Sequence, residues 1–408
     1  MTAPALPMTR HLSDTLRRAT ARSMFALLAA ALVPAAVLAG TDCQPAALAY
    51  VGSEAGQLVA LRLDACAGRL EAIGPVAALA RPRWAVAAPG KLYVASDPAG
   101  QDGRVVAFRV DAASGALDKF DEAPAGGTGT MQLWLDAPSQ TLLAAHDGNG
   151  AVTSFAIDAD GRLGPRASAV QDLGMGPAPR QQGPHAQGVV VAPEGRYALV
   201  PDLGADRVFV YAFDRTMHAL VPTAVDLAQE TRRRRAAEAP EPPHELVLPP
   251  GSGPHHLVFG ADGRYAYLLD ELGADLVVLR WNAAAGRLAA VQTLALSSPD
   301  HAGPKSGAEL VLGADGRHLY VANRGANALQ VYAVDAASGA LALEQRIASA
   351  GATPCTMTLD ASGRWLLVAS ALADKVSLLR VDAASGRLEA TGQAVDVASP
   401  LSIVFAAE

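Results

Sequence analysis

The chain of 408 residues lacks most of the short motifs that identify catalytic and nucleotide-binding domains. It has no Gly-x-Ser-x-Gly elbow, phosphate-binding loop, dinucleotide fingerprint or Cys-x-x-Cys pair, so the chemistries built on those motifs have no support here. Helical periodicity is also missing beyond the first 39 residues, which argues against a helical solenoid.

Positive charge is scarce as well. Lys and Arg total 33 against 40 Asp and Glu, for a formal net charge of −7 at pH 7. A chain with this excess of acidic residues is not expected to bind nucleic acid, whose backbone is itself negatively charged.

What the sequence does contain is a repeat. Seven strand-forming segments end in the same kind of turn, with Asp or Asn at its second position and Leu at its end. The turns cover residues 63–70, 110–117, 157–163, 213–220, 281–288, 334–341 and 381–388, at intervals of 47, 47, 56, 68, 53 and 47 residues. This period is typical of β-propeller blades. The predicted fold is therefore all-β, a seven-bladed β-propeller of four-stranded antiparallel blades.

The fifth repeat shows the pattern of one blade most clearly. Its four predicted strands cover residues 254–259, 264–270, 276–281 and 288–296. The turn at Asp262-Gly263 supplies the positive φ of a tight hairpin, so the connections are short and antiparallel.

The two ends of the repeat region complement each other. The first blade begins at Ala46 without an innermost strand, whereas residues 400–405 form a surplus strand at the end of the chain. We expect this C-terminal strand to pair into blade one, because closure removes two exposed strand edges.

The N-terminal segment 1–39 has the organisation of a signal peptide. Four Arg precede an apolar run over residues 24–39, and Val37-Leu38-Ala39 places small residues where signal peptidase cuts. A retained membrane anchor is the alternative, but about 16 residues interrupted by Pro34 are short for a bilayer span. We predict a periplasmic or secreted protein, cleaved near Ala39, without a stable membrane anchor. Its mature domain is residues 40–408, and losing four Arg and one Asp takes its net charge from −7 to −10.

The chain has only three cysteines. In an exported protein this count predicts one disulfide and one spare thiol, and Cys43 and Cys66 flank the first strands. A Cys43–Cys66 bridge would pin the start of the mature chain. The alternative is two buried thiols, and Cys355 is interpreted as a packing residue.

An insertion separates the fourth and fifth repeats over residues 221–250. It holds the run Arg232 to Arg235 and a proline-rich stretch at residues 240–243. Such composition predicts a solvated loop, and docking of an anionic ligand is the alternative.

Polar residues near the expected channel mouth are the candidates for chemistry, because loops and innermost strands from all blades converge there. They are Arg83, Gln132, His185, Gln187, Asp202, His255, His256, Asp270, Glu271, Glu309, Asn323 and Arg324. Arg binds carboxylate or phosphate, and Glu or His serves as acid or base. The alternative for each is that it simply lines a wet channel. Metal binding has little support, since adjacent His255 and His256 on a strand should point to opposite faces.

Several of these residues lie in motifs that resemble a known family. The segments 184–187, 201–208, 253–257, 270–272, 308–309 and 323–325 are similar to those of the seven-bladed lactonases. That family includes propeller-type 6-phosphogluconolactonases and the fungal carboxymuconate-lactonizing enzyme. The resemblance implies a cofactor-free site with a His, a Glu and two Arg in the channel. Glu271 and Arg324 match the family pattern, whereas Gln187 replaces a His and His255 replaces an Arg.

The predicted function is hydrolysis of an acidic or sugar-type lactone by a monomer that needs no metal or cofactor. Glu271 or His255 would activate water, and Arg324 would hold the developing oxyanion or an acidic group. Substrate contacts are assigned to His185, Gln187, His256, Asp202, Glu309 and Asn323. Export argues against 6-phosphogluconolactone itself, since sugar phosphates are cytoplasmic. Two alternatives are a non-catalytic exported binding propeller and a cycloisomerase of the muconate type.

Overall fold

A computed structural model describes residues 46–98, 101–221, 244–298 and 300–407. The predicted signal peptide 1–39, Cys43 and residues 222–243 of the insertion lie outside these residues. Within the described ranges, no helix has the length and apolar character needed to cross a membrane.

Seven antiparallel sheets contain the described strands. The first three blades contain β1 (Ala47–Ser53), β2 (Gln57–Asp64), β3 (Arg69–Ala78); β4 (Pro82–Ala88), β5 (Lys91–Ser96), β6 (Asp102–Val110), β7 (Leu117–Thr128); and β8 (Thr130–Asp136), β9 (Thr141–His146), β10 (Ala151–Ile157), β11 (Leu163–Gln171). Blade four contains β12 (Val190–Val191), β13 (Tyr197–Asp202), β14 (Arg207–Asp214), β15 (Ala219–Val221) and β16 (Glu245–Val247).

The remaining blades follow the same order. They contain β17 (Pro254–Phe259), β18 (Tyr265–Asp270), β19 (Asp275–Asn282), β20 (Arg287–Ala295); β21 (Gly307–Leu312), β22 (His318–Asn323), β23 (Ala328–Val334), β24 (Leu341–Ala348); β25 (Pro354–Leu359), β26 (Trp365–Ser370), β27 (Lys375–Val381), β28 (Leu388–Asp396); and the last strand β29 (Pro400–Phe405). Two 3₁₀ turns at Ala137–Ser139 and Ala371–Ala373 are the only helical elements in the described part of the chain. The four predicted strands of blade five match the observed ones to within one residue at each end.

The ring closes as the sequence predicted. Strand β29 pairs antiparallel with β1, with Ile403 opposite Val51 and Phe405 opposite Ala49, so blade one has the order β29-β1-β2-β3. The all-β propeller and its closure by the C-terminal strand are confirmed.

The hydrophobic core is divided among the gaps between blades. Seven clusters of buried apolar side chains each join two neighbouring blades, including one between blades seven and one. A second strand such as β18 is buried on both faces, whereas an outermost strand such as β24 has mostly exposed residues. Stacking of sheets therefore stabilises the ring by apolar burial, and every blade depends on its two neighbours.

The repeated turns also join the blades through hydrogen bonds. The hydroxyl of Tyr50 in blade one donates to the carbonyl of Gly115 in the turn of blade two, and Tyr320 of blade six donates to Gly386 of blade seven. Both glycines have φ between 66° and 80°, a conformation that favours glycine. The turn that identifies the repeat is thus also a contact between blades.

Part of the insertion is a strand. The interval 221–250 was predicted as loop, yet Glu245–Val247 forms β16 and pairs with Arg207–Phe209 of β14. Strand β15 covers only the other end of β14, from Ala212 to Asp214, and this leaves a free edge for β16. The outer strand of blade four therefore has two pieces, and residues 222–243 connect them.

The disulfide prediction is tested only in part by the structure. Cys66, in the turn after β2, is disulfide-bonded, and Cys355 is a free thiol whose pKa is raised to about 11 by burial. Since Cys43 lies outside the described residues, the Cys43–Cys66 pairing remains a prediction. Peptide mapping of exported protein without reductant should yield this linked pair. Recovery of both cysteines as alkylated free thiols would contradict it.

Candidate functional site

Six of the innermost strands carry a β-bulge near their first residues. In β17, Pro254 pairs with Asp270 and His256 pairs with Leu269, so His255 is the extra residue. The same irregularity occurs in β4, β8, β21, β25 and β29. Bulges redirect side chains near functional sites. Here the extra residue of blade five is one of the predicted catalytic residues.

Glu271, directly after β18, is the centre of a charged cluster. Its Oε1 accepts hydrogen bonds from Arg180 Nη1 at 2.6 Å and from Arg324 Nη1 at 3.3 Å. His255 Nε2 lies 3.7 Å from its other oxygen, Oε2. The structure thus brings together all three predicted catalytic residues, Glu271, His255 and Arg324, and adds Arg180.

The environment fixes the charge states of this cluster. Burial would raise the pKa of Glu271, but the positive charges of His255, when protonated, and of Arg180 and Arg324 outweigh it, and the pKa is lowered. Burial lowers the pKa of His255 to about 4, so its imidazole is neutral at pH 7. Within the described residues neither ring nitrogen of His255 has a hydrogen-bond partner. A buried neutral imidazole beside a carboxylate can take a proton from a bound water or ligand.

A cavity of about 250 Å³ shares one residue, Arg180, with this cluster. Its lining residues are Asp147, Pro179, Arg180, Gln182, His185 and Leu203. His185 Nδ1 lies 2.6 Å from the carbonyl oxygen of Asp147 and 3.4 Å from its Oδ1, and the interactions of the side chain and backbone of Asp147 raise the pKa of the histidine despite partial burial. Burial pushes the pKa of Asp147 up, but the hydrogen bond and charge of His185, the hydrogen bond of Gln187 and the charge of Arg83 lower it overall. The cavity wall therefore contains both basic and acidic side chains.

His256 and Glu309 form a separate pair in the central channel. His256 Nδ1 lies 2.5 Å from Glu309 Oε1, and Thr356 Oγ1 donates to Oε2 at 3.4 Å. The ring of Trp84 in blade two lies 5.7 Å from that of His256 in blade five, between centroids. These side chains meet across the middle of the ring.

The two adjacent histidines contact different carboxylates. Strict alternation along a strand predicts that they point to opposite faces, so that at most one of them would join a metal site with His185 and Glu271. The bulge at His255 interrupts that alternation, and each histidine contacts a carboxylate, Glu271 or Glu309. Only His255 therefore belongs to the cluster around Glu271, whereas His256 belongs to the separate pair with Glu309.

Two predicted substrate contacts are instead fully buried and bind the backbone. Asp202 Oδ1 accepts hydrogen bonds from the amides of His185 and Ala205, while Asn323 Oδ1 accepts one from Ala326 and its Nδ2 donates to Leu296. These side chains hydrogen-bond to backbone groups of the loops that follow β13 and β22 and of the segments beside those loops. Asp202 acts on the site indirectly, by holding the backbone of His185.

Gln187 and Gln132 also support the site through hydrogen bonds. Gln187 Nε2 donates to Asp147 Oδ1 at 2.5 Å, and Gln132 Oε1 accepts from the amide of Val189. Arg83 Nη1 lies 3.7 Å from Asp97 in its own blade. Gln187 thus holds Asp147 in the cavity wall, whereas Gln132 and Arg83 contact neighbouring parts of the propeller.

Arg180 was not among the predicted residues. It lies between β11 and β12 in a loop without strand periodicity, and no motif covers it. The signal that could have revealed it is a single basic residue in the Pro- and Gln-rich stretch 177–184, just before the motif at residues 184–187.

The described residues offer few ligands for a metal ion. Among the described residues, no group of three or more His, Cys, Asp or Glu side chains is arranged to hold a metal ion. The charged cluster contains one carboxylate, one imidazole and two guanidinium groups, and guanidinium groups are anion ligands rather than metal ligands. The site suits an anionic or polar organic ligand.

The chain is similar to known proteins of one family. The family model described as a seven-bladed β-propeller lactonase matches residues 47–405. The 6-phosphogluconolactonase of Bacillus subtilis (strain 168) is 28% identical over 287 residues, which cover 68% of this chain and 76% of that protein. A 6-phosphogluconolactonase of Klebsiella pneumoniae (strain 342) is 28% identical over 279 residues, covering 68% of this chain and 74% of that protein.

A solved structure resembles the whole propeller. The periplasmic gluconolactonase of Pseudomonas aeruginosa has 31% sequence identity and a TM-score of 0.78, covering 89% of this chain and 99% of that chain. The match to the family model, residues 47–405, spans all seven blades.

Proposed function

The chain belongs to the seven-bladed β-propeller lactonase family, and on this premise we propose that it is an exported hydrolase that opens a sugar-type lactone beside Glu271. One observation carries the proposal: the neutral imidazole of His255, which has no hydrogen-bond partner among the described residues, lies 3.7 Å from a carboxylate that two guanidinium groups hold in place. This arrangement contains a base, its counter-charge and an oxyanion ligand.

The reaction uses these groups in order. His255 takes a proton from water as the water oxygen bonds to the lactone carbonyl carbon, and Glu271 stabilises the resulting imidazolium. Arg324 stabilises the negative charge that develops on the carbonyl oxygen. When the ring carbon–oxygen bond breaks, the imidazolium returns its proton to the departing oxygen. The hydroxy acid product then ionises and releases one proton at neutral pH.

The substrate class follows from the site and from the predicted compartment. A cavity of about 250 Å³ is of a size for a single sugar ring, and the Asp147, Gln182 and His185 side chains in its wall can hydrogen-bond to hydroxyl groups. We propose cleavage of the leader and export, which the N-terminal pattern and the periplasmic gluconolactonase relative both support. An extracytoplasmic enzyme would meet unphosphorylated sugar lactones rather than sugar phosphates.

Proton release with a panel of lactones tests the proposal. Mature protein, residues 40–408, should accelerate opening of at least one sugar lactone above the spontaneous rate, with saturation. If no lactone is opened faster than in buffer, the hydrolase proposal is overturned and the non-catalytic binding alternative replaces it.

The pH dependence of kcat/KM should reflect the buried histidine. Because burial lowers the pKa of His255 to about 4, we expect kcat/KM to remain level down to mildly acidic pH and to fall as the pH drops through about 4. An exposed histidine would place this decline near 6.5.

Circular dichroism at each pH is the control. The lowered pKa makes the unfolded chain take up the proton first, so folding stability falls as the pH drops below about 6.5. An acid limb near 6.5 in protein that is still folded would contradict the assignment of His255 as base.

A further inference from the structure

Arg180 contacts the centre of the site from a loop that no motif marks. Its Nη1 lies 2.6 Å from Glu271 Oε1, a shorter contact than that of Arg324 to the same oxygen. The side chain of Glu271 is 7% exposed and that of Arg180 is 57% exposed. Arg180 therefore contacts the buried carboxylate of Glu271 and is also one of the residues that line the open cavity.

The loop that carries Arg180 is fixed by its neighbour. The Gln181 side chain is fully buried, and its Nε2 donates to the Leu203 carbonyl at 2.8 Å and to Asp206 Oδ1 at 2.6 Å. Its Oε1 accepts from the amide of Ala178 at 3.0 Å. A loop that becomes ordered on binding a ligand loses backbone freedom, and anchoring of this loop through Gln181 reduces that loss.

One carboxylate joins this loop to the strand of the catalytic histidine. Asp206 accepts from the amides of Gly251 at 2.7 Å and Gly253 at 2.9 Å, in addition to the bond from Gln181. Gly253 lies two residues before His255. The positions of Arg180 and His255 are thus set by the same buried group.

The charges of the cluster do not cancel. Among its four side chains, Arg180 and Arg324 face the single carboxylate of Glu271 and His255 is neutral at pH 7, so the cluster itself has one positive charge in excess. The carboxylate of Asp147 on the cavity wall also acts on Arg180. In the described part of the chain Glu271 engages only Nη1 of Arg180, and the guanidinium has other N–H groups for a ligand.

We infer that Arg180 is a specificity-determining residue that binds an anionic group carried by the lactone substrate. The inference rests on the proposed lactonase function and narrows its substrate class to acidic sugar lactones. A carboxylate and a phosphate offer the same chemistry to a guanidinium, which binds either through two parallel hydrogen bonds.

Matched substrates test this role. A neutral sugar lactone is compared with two acidic forms of it, one bearing a carboxylate and one a phosphate. We expect Arg180→Ala to reduce the ratio of kcat/KM for the preferred acidic lactone to that for the neutral one by at least about 10-fold, mainly through KM, because a charge-assisted hydrogen bond is lost. The Arg180→Lys variant should have a kcat/KM ratio between those of the unaltered protein and of Arg180→Ala, because lysine keeps the charge but not the planar group.

Arg69→Ala is the control, because Arg69 is similarly exposed and lies 3.2 Å from a carboxylate, Glu71, on an outer strand. It should leave both rates unchanged. An equal loss on acidic and neutral lactones in Arg180→Ala would overturn the inference, because Arg180 would then act only by holding Glu271. No change at all would overturn it as well.

Failure of the proposed lactonase function can be distinguished from failure of the inference about Arg180. If the unaltered protein opens no lactone, calorimetric binding of the ring-opened acids still decides the role of Arg180. Binding weakened at least about 10-fold by Arg180→Ala would support an anion site, and binding that is absent or insensitive to the change would reject it.

Discussion

Glu271→Gln should reduce kcat for lactone opening by at least about 10²-fold. Glutamine keeps the shape of the side chain but has no negative charge to stabilise the imidazolium of His255 or to hold Arg180 and Arg324. The expected loss falls on kcat more than on KM, because the missing charge matters most when His255 takes up a proton. Arg324→Ala should do similar harm by removing the oxyanion ligand. Initial rates of proton release measure both effects.

A matched carboxylate elsewhere provides the control. Glu389 lies 2.7 Å from Arg380 on the outer strands of blade seven, and Glu389→Gln removes a similar ion pair far from the cavity. It should leave kcat unchanged. A loss of less than about threefold in Glu271→Gln would mean that the chemistry does not depend on this carboxylate.

Deletion of residues 399–408 should lower the melting temperature by at least about 10 °C, or prevent folding. The deletion removes β29 and exposes the edge of β1. It also uncovers the clusters on both sides of blade one, to which Ile403 and Val404 contribute. Loss of several apolar side chains from these clusters costs several kcal/mol, at roughly 1.5–3 kcal/mol each. Thermal unfolding followed by circular dichroism measures the effect.

Two milder variants keep this test decisive if the truncated chain is insoluble. Removal of residues 407–408 leaves β29 and the Ala406 backbone bond to Leu48 intact and should have little effect. Ile403→Ala in the full-length chain should lower stability by about 2–4 kcal/mol, as expected for truncation of a buried side chain. A melting temperature unaffected by the longer deletion would refute closure of the ring by this strand.

The architecture was predictable because each blade carries its own local signals. The turn residues and the alternation of apolar strands recur seven times, so an ambiguity in one repeat is resolved by the others. The insertion in blade four was predicted less well. Its proline-rich stretch suggested loop throughout, whereas the free edge of β14 pairs with Glu245–Val247, a tertiary effect that local sequence does not encode.

The candidate site was predictable only where a motif covered it. Glu271, His255 and Arg324 lie in such segments, and the structure brings them together. Arg180 is part of an irregular loop, and its position depends on hydrogen bonds of Gln181 and Asp206 over distances of about 25 residues in sequence. Sequence could not distinguish Asp202 and Asn323, which bind loop backbone, from residues that face a ligand, because polar residues at strand ends serve both purposes.

Location of the bound substrate tests directly whether the lactone is opened beside Glu271. Crystals of the Glu271→Gln variant, soaked with the lactone that the unaltered protein opens fastest, should trap the intact ring. We expect electron density that extends from the cavity lined by Arg180 and His185 to Glu271, with the lactone carbonyl oxygen within hydrogen-bond distance of Arg324 and the carbonyl carbon facing His255. Density for the lactone at another surface, such as the groove beside Trp281, with this cavity containing only solvent, would contradict it.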